Sequence, residues 1–383
     1  MNIVCIMMLW FGLTLSSHAQ AYDLHFPSSA EPARSLIIEG ALEPEVFAPV
    51  LKAFHTAYPD IDLTYRNLST RALFTRYRDR PQQPSADLIM SSAMPWQYRL
   101  ANNANGDTLG NAIDPQWPTW ARWRNELVGL SFEPVVIVYR RELTDRLGAP
   151  RSHTELVDLL LAHRDALKHR VVTYDPRRSD TGFTYAVEDA RLSPQYWTLI
   201  SALGEVNARL ADNTNEMLEG LESGRYLIGY NLIGSYAYAA AARNPELVVQ
   251  VPRDYALVNQ RLALIPHNAA HPDTARLFLD YYTHPTGQRI VAERTPLGAL
   301  SPALTGEGTA AWLRAQHGDA LRPIQLGPGL LALVDPLKRE SVMARWQREF
   351  ERTQPLSSSP DTDTTASNLL LPFTPTGEHH DTR

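Results

Sequence analysis

Hydroxyl-bearing and small residues recur in this sequence where an apolar run gives way to a pattern that starts a helix. Ser91 and Ser92 follow the apolar run 86–90, and Pro95 is typical of the first turn of a helix. Hydroxyl groups and free backbone N–H groups at such a place can bind an oxyanion, because the helix dipole makes this end of the helix positive. The pattern predicts contacts to an anionic ligand, with a serine N-cap that binds no ligand as the alternative. The candidate residues of this kind are Gly40, Ala41, Ser91, Ser92, Ser179, Thr181 and Gly182.

The run from Ser179 to Gly182 combines hydroxyl groups with a glycine at the start of a predicted helix. Glycine has no side chain to keep backbone N–H groups away from an oxyanion, so this loop can approach a ligand closely. Capping of the helix by Ser179 or Asp180 alone is the alternative. Arg177 and Arg178 precede the run and can add bidentate contacts to an anion, although arginines at such positions are more often solvated.

The sequence lacks the short motifs that mark common hydrolytic and nucleotide-binding sites. It contains no G-x-S-x-G, H-E-x-x-H or G-x-x-x-x-G-K-[ST] pattern. His267 and His271 are four residues apart in a loop without a neighbouring carboxylate motif, which is weak support for a metal site. We therefore expect no enzyme, no catalytic residues, no metal and no cofactor, with a scattered Ser-His-acid site as the enzymatic alternative. Arg66 and Arg71 bracket another loop, where we expect a solvated surface.

The first 21 residues predict export of the chain. An apolar run through residue 15 is followed by small residues, and a run of about 13 residues is too short to span ~30 Å of hydrocarbon. This pattern indicates a signal peptide, residues 1–21, cleaved after Ala19 or Ala21. Cys5 lies within it and is the one cysteine of the sequence, so the mature chain has no disulfide framework and no cysteine nucleophile. We expect a periplasmic location.

Composition limits the domain count and the partners. The chain has 383 residues, 44% of them hydrophobic and 20% charged, which is enough for two globular domains. A formal net charge of −6 gives no electrostatic reason to expect nucleic acid or an anionic membrane as partner. Residues 355–383 are rich in Ser, Thr, Pro and Asp, which predicts a disordered tail.

Apolar periodicity predicts alternating strands and helices. The helix 44–58 has apolar residues on one face, and Asn213 is a plausible cap for the helix that follows it. Alternation of this kind predicts a parallel sheet covered on both faces, in two α/β units. The predicted strands are 35–41, 62–65, 86–90, 129–140, 171–174, 227–230 and 261–265. The predicted helices are 44–58, 153–169, 182–191, 213–222, 234–242, 272–282, 287–293 and 335–352.

Five segments, in order along the chain, resemble a known family. The sequence is similar to type II periplasmic solute-binding proteins of ABC transporters, in the branch that contains ferric-ion and phosphoglycerate-regulatory binding proteins. The likeness covers about residues 35–350. The segments are ADLIMSSAM at 86–94, GLSFEPVVIVY at 129–139, YDPRRSDTGF at 174–183, GYNLIGSY at 229–236 and PDTARLFLDY at 272–281.

The resemblance implies an α/β, two-lobed periplasmic binding protein type II fold. Each lobe is expected to be a mixed sheet flanked by helices, and a hinge of two crossovers joins the lobes. The first lobe would comprise 35–133 plus 263–352, and the second lobe 134–262. Ligand would lie between the lobes, at loops after strands and at helix N-termini.

The resemblance also adds three candidate ligand residues. Asn231 and Tyr236 lie where ferric-binding relatives carry adjacent tyrosine ligands. Here Tyr236 and Tyr238 are separated by Ala237, so the adjacent pair is missing, which favours an organic anion over iron. Glu133 lies at the start of the first crossover, where it would pair either with a substrate ammonium group or with a hinge cation.

The predicted function is capture of a small organic anion, phosphorylated compounds included, between two lobes for delivery to an inner-membrane ABC permease. One alternative is a regulatory receptor that presents its ligand to a sensor histidine kinase. Another is a ferric-ion-binding protein. Membrane partners of such receptors contact both lobes, so we expect a monomer that binds no nucleic acid.

Overall fold

The computed structural model describes residues 23–31 and 33–352. The predicted signal peptide, residues 1–21, and the predicted tail, 355–383, lie outside the described residues and stay predictions. None of the helices in the described part of the chain is both long and apolar enough to cross a membrane.

The described chain alternates between short strands and helices. In chain order the strands are β1 (Leu24–Phe26), β2 (Arg34–Gly40), β3 (Ile61–Asn67), β4 (Leu88–Ser91), β5 (Arg122–Trp123), β6 (Leu127–Gly129), β7 (Glu133–Arg140), β8 (Val171–Tyr174), β9 (Arg209–Ala211), β10 (Ile228–Ile233), β11 (Leu247–Gln250), β12 (Ala256–Asn259), β13 (Leu262–Leu264) and β14 (Leu321–Pro323). The α-helices are α1 (Pro44–Ala57), α2 (Thr70–Asp79), α3 (Met94–Asn102), α4 (Arg141–Leu147), α5 (His153–Ala162), α6 (Arg164–Leu167), α7 (Asp180–Leu192), α8 (Tyr196–Glu205), α9 (Thr214–Glu222), α10 (Gly234–Arg243), α11 (Pro272–Thr283), α12 (Pro285–Arg294), α13 (Ala310–His317), α14 (Gly329–Ala332) and α15 (Pro336–Glu351).

The first sheet is the centre of the first lobe and has the strand order β1-β3-β2-β4-β13-β6-β5. Strand β2 runs parallel to β3 and β4, while β13 runs antiparallel to β4 and β6. Leu36 and Ile38 of β2 are fully buried, as expected for a strand covered on both faces. Helix α1 buries its predicted apolar face, including Phe47 and Phe54, against this core.

The second sheet is the centre of the second lobe, with the order β14-β12-β7-β10-β8-β9 and with β11 also pairing β7. Strand β8 runs parallel to β9 and β10, whereas β7 runs antiparallel to β10, β11 and β12. The structure confirms the predicted fold class, an α/β fold with two mixed sheets flanked by helices. Periodicity alone predicted parallel sheets, which is wrong for β7 and β13, because these two strands enter their sheets directly from the connections between lobes.

Two short connections join the sheets. The chain leaves the first sheet after β6 and enters the second at β7, and it returns between Asn259 at the end of β12 and Leu262 at the start of β13. A longer passage then leads from β13 through α11, α12 and α13 to β14 in the second sheet. The two short connections are the crossovers that the resemblance predicts as the hinge. The lobe boundaries at 134 and 262 stay a prediction.

Two C-terminal elements lie in the second lobe, although we expected them in the first. Strand β14 pairs in parallel with β12 of the second sheet, and α15 packs on α8 of the second lobe. Trp346 and Phe350 of α15 are buried in the same apolar cluster as Tyr196 and Ile200 of α8. The predicted placement of all of 263–352 in the first lobe therefore does not describe these two elements. The amphipathic pattern of α15 predicted a buried face but not the partner of that face.

Candidate functional site

A cleft of about 600 Å³ lies between the two lobes. In the first lobe it is bounded by the ends of β2 and β4 and by the start of α2, and in the second lobe by the starts of α7, α9 and α10. Four helices of nine to thirteen residues thus direct their N-termini toward one space. The first N–H groups of a helix have no partner within the helix, and the helix dipole places positive potential there.

Helix α7 supplies the part of the wall that the sequence predicted in the second lobe. Ser179 caps the helix, because its hydroxyl accepts a hydrogen bond from the N–H of Gly182 at 3.1 Å, and it also lines the cleft. Thr181 lines the cleft and is only 8% exposed. Gly182 lies behind the wall, since an added Cβ would come within 2.4 Å of the Cβ of Tyr174. The glycine therefore permits close packing of α7 on β8. Gly182 is not among the residues that line the cleft, and its contact with ligand stays a prediction.

Helices α2 and α9 form walls that sequence reasoning missed. The hydroxyl of Ser69 accepts from the N–H of Ala72 at 3.2 Å, and the Asn213 side chain accepts from the N–H of Glu216 at 3.0 Å, so both helices begin in capped turns. The Asn213 cap was predicted and is confirmed, but only the folded chain brings it to the cleft. Asn215, one residue into α9, also lines the cleft.

The predicted residues at the end of β4 differ in their surroundings. Ser92 is 6% exposed and lines the cleft, and its hydroxyl has no hydrogen-bond partner among residues 23–31 and 33–352. The hydroxyl of Ser91 instead accepts a hydrogen bond from the N–H of Ala93 at 3.1 Å. Ser91 therefore closes the turn that precedes α3, whose N-cap is Ala93 and receives no side-chain hydrogen bond. Neither serine is the N-cap that the alternative predicted. Ser91 is not among the residues that line the cleft, and its contact with ligand stays a prediction.

Gly40 and Ala41 follow β2 as predicted, but their backbone groups are already engaged. The N–H of Ala41 donates to the carbonyl of Met90 at 2.9 Å, and its carbonyl accepts from Arg261 at 2.7 Å. Ala41 thus lines the cleft without a free N–H group. Gly40 packs under the ring of Tyr65, where an added Cβ would lie 2.5 Å from the phenol oxygen. Gly40 is not among the residues that line the cleft, and its contact with ligand stays a prediction.

Glu133 is fully buried at the hinge and does not face the cleft. One carboxylate oxygen lies 3.1 Å from Nε of Arg261, and the hydroxyl groups of Ser131 and Ser235 also donate to this carboxylate. Burial alone would lower the pKa of Arg261, but the carboxylates of Glu133 and Glu43 raise it above its ordinary value. Of the two roles left open by the sequence, the structure places Glu133 in the hinge ion pair rather than beside a ligand.

Asn231 is held inside the second lobe instead of facing the cleft. It adopts a left-handed backbone conformation with φ of 66° at the bulge of β10 between Gly229 and Leu232. Its side-chain amide donates to the buried carboxylate of Asp189 at 2.7 Å. The residue therefore shapes the turn into α10. Asn231 is not among the residues that line the cleft between the lobes, and its contact with ligand stays a prediction.

Tyr236 lines the cleft as predicted. Its neighbour two residues on, Tyr238, is 37% exposed, so the two phenols do not face the same site. Burial raises the pKa of Tyr236 well above its ordinary value, and the nearby carboxylates of Glu43 and Glu133 act in the same direction. The phenol is therefore protonated at neutral pH, and a hydrogen bond to the Glu43 carboxylate contributes to this rise of its pKa.

Charged side chains at the mouth of the cleft form pairs. Arg71 of the first lobe is solvated as expected, with its side chain 66% exposed, and it also lies 3.4 Å from the Asp180 carboxylate of the second lobe. Arg178 donates to Asp212 at 2.6 Å, within the second lobe. Among residues 23–31 and 33–352, no group of three or more His, Cys, Asp and Glu side chains is arranged to hold a metal ion.

Comparison with known proteins identifies the family. Residues 23–294 match the family model described as bacterial extracellular solute-binding protein. This chain belongs to that family. It is also 33% identical to the substrate-binding protein of an ABC transporter from Agrobacterium tumefaciens, over 86% of this chain and 98% of that one, with a TM-score of 0.81. Proteins of this family bind solutes for ABC transporters and are not enzymes. No curated protein sequence matches this chain.

More distant structures share the fold of this solute-binding protein. Iron-bound HitA from Pseudomonas aeruginosa is 15% identical, over 82% of this chain and 99% of that one, with a TM-score of 0.64. AfuA from Actinobacillus pleuropneumoniae, solved with fructose-6-phosphate, is 16% identical, over 84% of this chain and 99% of that one, also with a TM-score of 0.64. At this level of identity the likeness confirms the type II binding-protein fold and carries no ligand across.

Proposed function

We propose that this protein is a periplasmic receptor that captures a small organic anion between its lobes and delivers it to an ABC permease. The observation that carries the proposal is the convergence of the N-termini of α2, α7, α9 and α10 on one cleft. Four helix dipoles and their first N–H groups offer fixed partial positive charge to an anion, which needs no lysine or arginine to be attracted.

Buried hydroxyl groups support the same proposal. Ser92 and Thr181 approach the cleft from opposite lobes, both are at least nine-tenths buried, and neither hydroxyl has a hydrogen-bond partner in the described part of the chain. Both hydroxyl oxygens keep accessible surface at the cleft, so they can donate a hydrogen bond to a ligand without first giving up a bond within the protein. Tyr236 adds a protonated phenol to the same wall.

The volume of the cleft limits the size of the ligand. About 600 Å³ falls within the range of small-molecule sites and suits a metabolite rather than a peptide or polymer. AfuA, which has the same fold, holds fructose-6-phosphate, and this supports phosphorylated compounds as members of the class. We propose that the receptor acts as a monomer in the periplasm, where a permease can contact both lobes.

Thermal and calorimetric titration of the purified protein tests the proposal. The panel contains phosphorylated compounds, carboxylates, amino acids and ferric citrate. An anion present at 100 times its Kd should stabilise the folded protein by about 2.7 kcal/mol, without being turned over. Thr181→Val should weaken that binding roughly tenfold or more, because a hydrogen bond to a charged group contributes about 1.5–3 kcal/mol.

The control for this experiment is Thr274→Val. Thr274, on α11, is 7% exposed and so is as buried as Thr181, but it is not among the residues that line the cleft. The control should leave the affinity unchanged. Stabilisation by ferric citrate alone would favour the iron-binding alternative, and the absence of any response to organic anions would overturn the proposal.

A further inference from the structure

The C-terminal part of the chain crosses between the lobes again after β14. Strand β14 lies in the second sheet beside β12, and α15 packs on α8 of the second lobe. Between these two elements, the four-residue helix α14 packs on α3 of the first lobe. The segment 324–335, which we call the strap, therefore leaves the second lobe, contacts the first lobe and returns to the second.

Both ends of the strap are fixed outside the first lobe. At its start, the N–H of Ile324 donates to the carbonyl of Val258 at 3.0 Å, and the Gln260 side chain donates to the carbonyl of Ile324 at 3.2 Å. At its end, the Asp335 carboxylate caps α15, whose Arg339 lies 3.5 Å from the carboxylate at the start of α7. The two ends therefore stay with the hinge and the second lobe when the lobes move apart.

The middle of the strap is held on the first lobe by apolar packing. Leu330 and Leu333 are 2% and 3% exposed, and both belong to the apolar cluster that contains Met94 and Tyr98 of α3. A helix of four residues is too short to be stable by itself, so α14 depends on this packing. Its first residue is Gly329, which disfavours the helix further. Helix α14 is thus an element that can detach at low cost while the rest of the fold stays intact.

The strap is also too short to follow a wide separation of the lobes. Only residues 333–335 connect the end of α14 to the start of α15. The four chain steps from Ala332 to Pro336 span at most about 14 Å when fully extended. Opening of the lobes beyond that reach therefore requires α14 to leave α3.

We propose that α14 is a latch, which holds the lobes together while it is packed on α3 and detaches when the lobes open. This inference rests on the proposed function, because a latch regulates ligand entry only in a receptor whose lobes open and close. No residue of the strap lines the cleft, so the latch biases closure without occupying the ligand site. Its contact is buried and apolar, and it should therefore respond little to salt, unlike the charged contacts at the cleft mouth.

Two substitutions with opposite effects on the latch test the inference in the ligand-free protein. Leu330→Ala removes most of the buried side chain, so small-angle X-ray scattering should show a larger radius of gyration than in the wild type. Hydrogen–deuterium exchange of residues 329–335 should then be faster by roughly tenfold or more. Gly329→Ala should slow that exchange by roughly fivefold, because alanine favours the helix. Position 329 can accept alanine, since an added Cβ meets no atom within 4 Å and the backbone is not left-handed.

Leu143→Ala is the matched control, because Leu143 is 5% exposed and packs within the apolar cluster of the second lobe alone. It should leave the radius of gyration and the exchange of residues 329–335 unchanged. Equal opening in Leu143→Ala would mean that any loss of stability opens the lobes, and it would overturn the latch. An unchanged radius in Leu330→Ala would overturn it as well.

The outcome is separate from that of the proposed function, since no ligand is present in these measurements. Failure of the latch leaves the anion receptor standing, and a protein that responds to no anion of the panel still gives a readable radius and exchange rate. If Leu330→Ala does not fold, Gly329→Ala decides by exchange alone, and an unaltered rate in residues 329–335 would overturn the latch.

Discussion

The Glu133–Arg261 pair shows what a buried charge does at the residue scale. Both side chains are at most 1% exposed, and they connect the two passages of the chain between the lobes. Glu133→Gln should lower the free energy of unfolding by about 3–5 kcal/mol, because it leaves the Arg261 charge buried without its counterion. Urea denaturation monitored by circular dichroism measures this loss.

A surface pair provides the comparison for the hinge pair. Arg164 and Glu205 lie 3.4 Å apart with the arginine largely in solvent, and Glu205→Gln should cost less than about 1 kcal/mol. If Glu133→Gln were no more costly than Glu205→Gln, the buried pair would contribute nothing particular to the hinge.

Asp175 should make the second lobe sensitive to acid. Burial alone would raise its pKa, but hydrogen bonds from the Arg177 side chain and backbone, with the charges of Arg177 and Arg178, hold the pKa below its ordinary value. A carboxyl whose pKa is lowered by folding adds stability that is present above about pH 4 and is lost as the pH falls through its folded value. The stability difference between wild type and Asp175→Asn should therefore shrink between pH 7 and pH 3.

The corresponding measurement is urea unfolding of both proteins at several pH values. Asp145→Asn is the control, because Asp145 is exposed and forms no ion pair with another described residue, so the substitution should leave stability unchanged. A difference between wild type and Asp175→Asn that stays constant down to pH 3 would contradict the linkage.

Residue types predicted part of the candidate site. Ala41, Ser92, Ser179, Thr181 and Tyr236 line the cleft as proposed, because strand ends and helix starts do meet there. The sequence could not show that Ser91 satisfies an N–H of its own turn or that Glu133 meets Arg261, 128 residues away. Whether a polar group is free for a ligand depends on neighbours that only the folded chain supplies.

At the scale of elements, the bulge in β10 sets the course of the chain into α10. Asn231 has a positive φ there, which costs an ordinary L-residue about 1–2 kcal/mol, and its amide also satisfies Asp189. Asn231→Ala should therefore destabilise the protein more than Asn231→Gly, by about 1 kcal/mol, although both substitutions remove the amide. Chemical denaturation of the two variants gives the comparison, and equal stabilities would show that the backbone is not strained.

Local patterns predicted most elements, because the residues that form the apolar face of α1 or the cap of α9 lie close together in the sequence. They did not predict the break between α5 and α6 at His163, or that α7 starts at Asp180 before its glycine. They also missed the pairing of β14 with β12. A three-residue strand carries too little periodicity to be recognised, and its partner lies some 60 residues earlier in the chain.

At the scale of the molecule, side-chain contacts between described residues span the cleft between the lobes. Asn215 donates to Glu43, and Arg71 lies beside Asp180, so each contact joins a first-lobe residue to a second-lobe residue. Such contacts shift the equilibrium between open and closed arrangements of a hinged protein by as much as they stabilise the closed one. Each is worth at most about 1 kcal/mol near solvent, so together they bias closure without locking it.

The combined variant Arg71→Ala with Asn215→Ala should therefore be more open than the wild type in the absence of ligand. Small-angle X-ray scattering should show a larger radius of gyration, and the solute should bind several-fold more weakly because closure is less favourable. Arg178→Ala is the control, since its contact with Asp212 lies at the same cleft but within one lobe, and its removal should leave the radius unchanged. Opening of the control to the same extent would mean that charge at the cleft mouth, and not the bridging contacts, governs closure. An unchanged radius in the combined variant would instead place the closing force in the hinge, at β7, β12 and the Glu133–Arg261 pair.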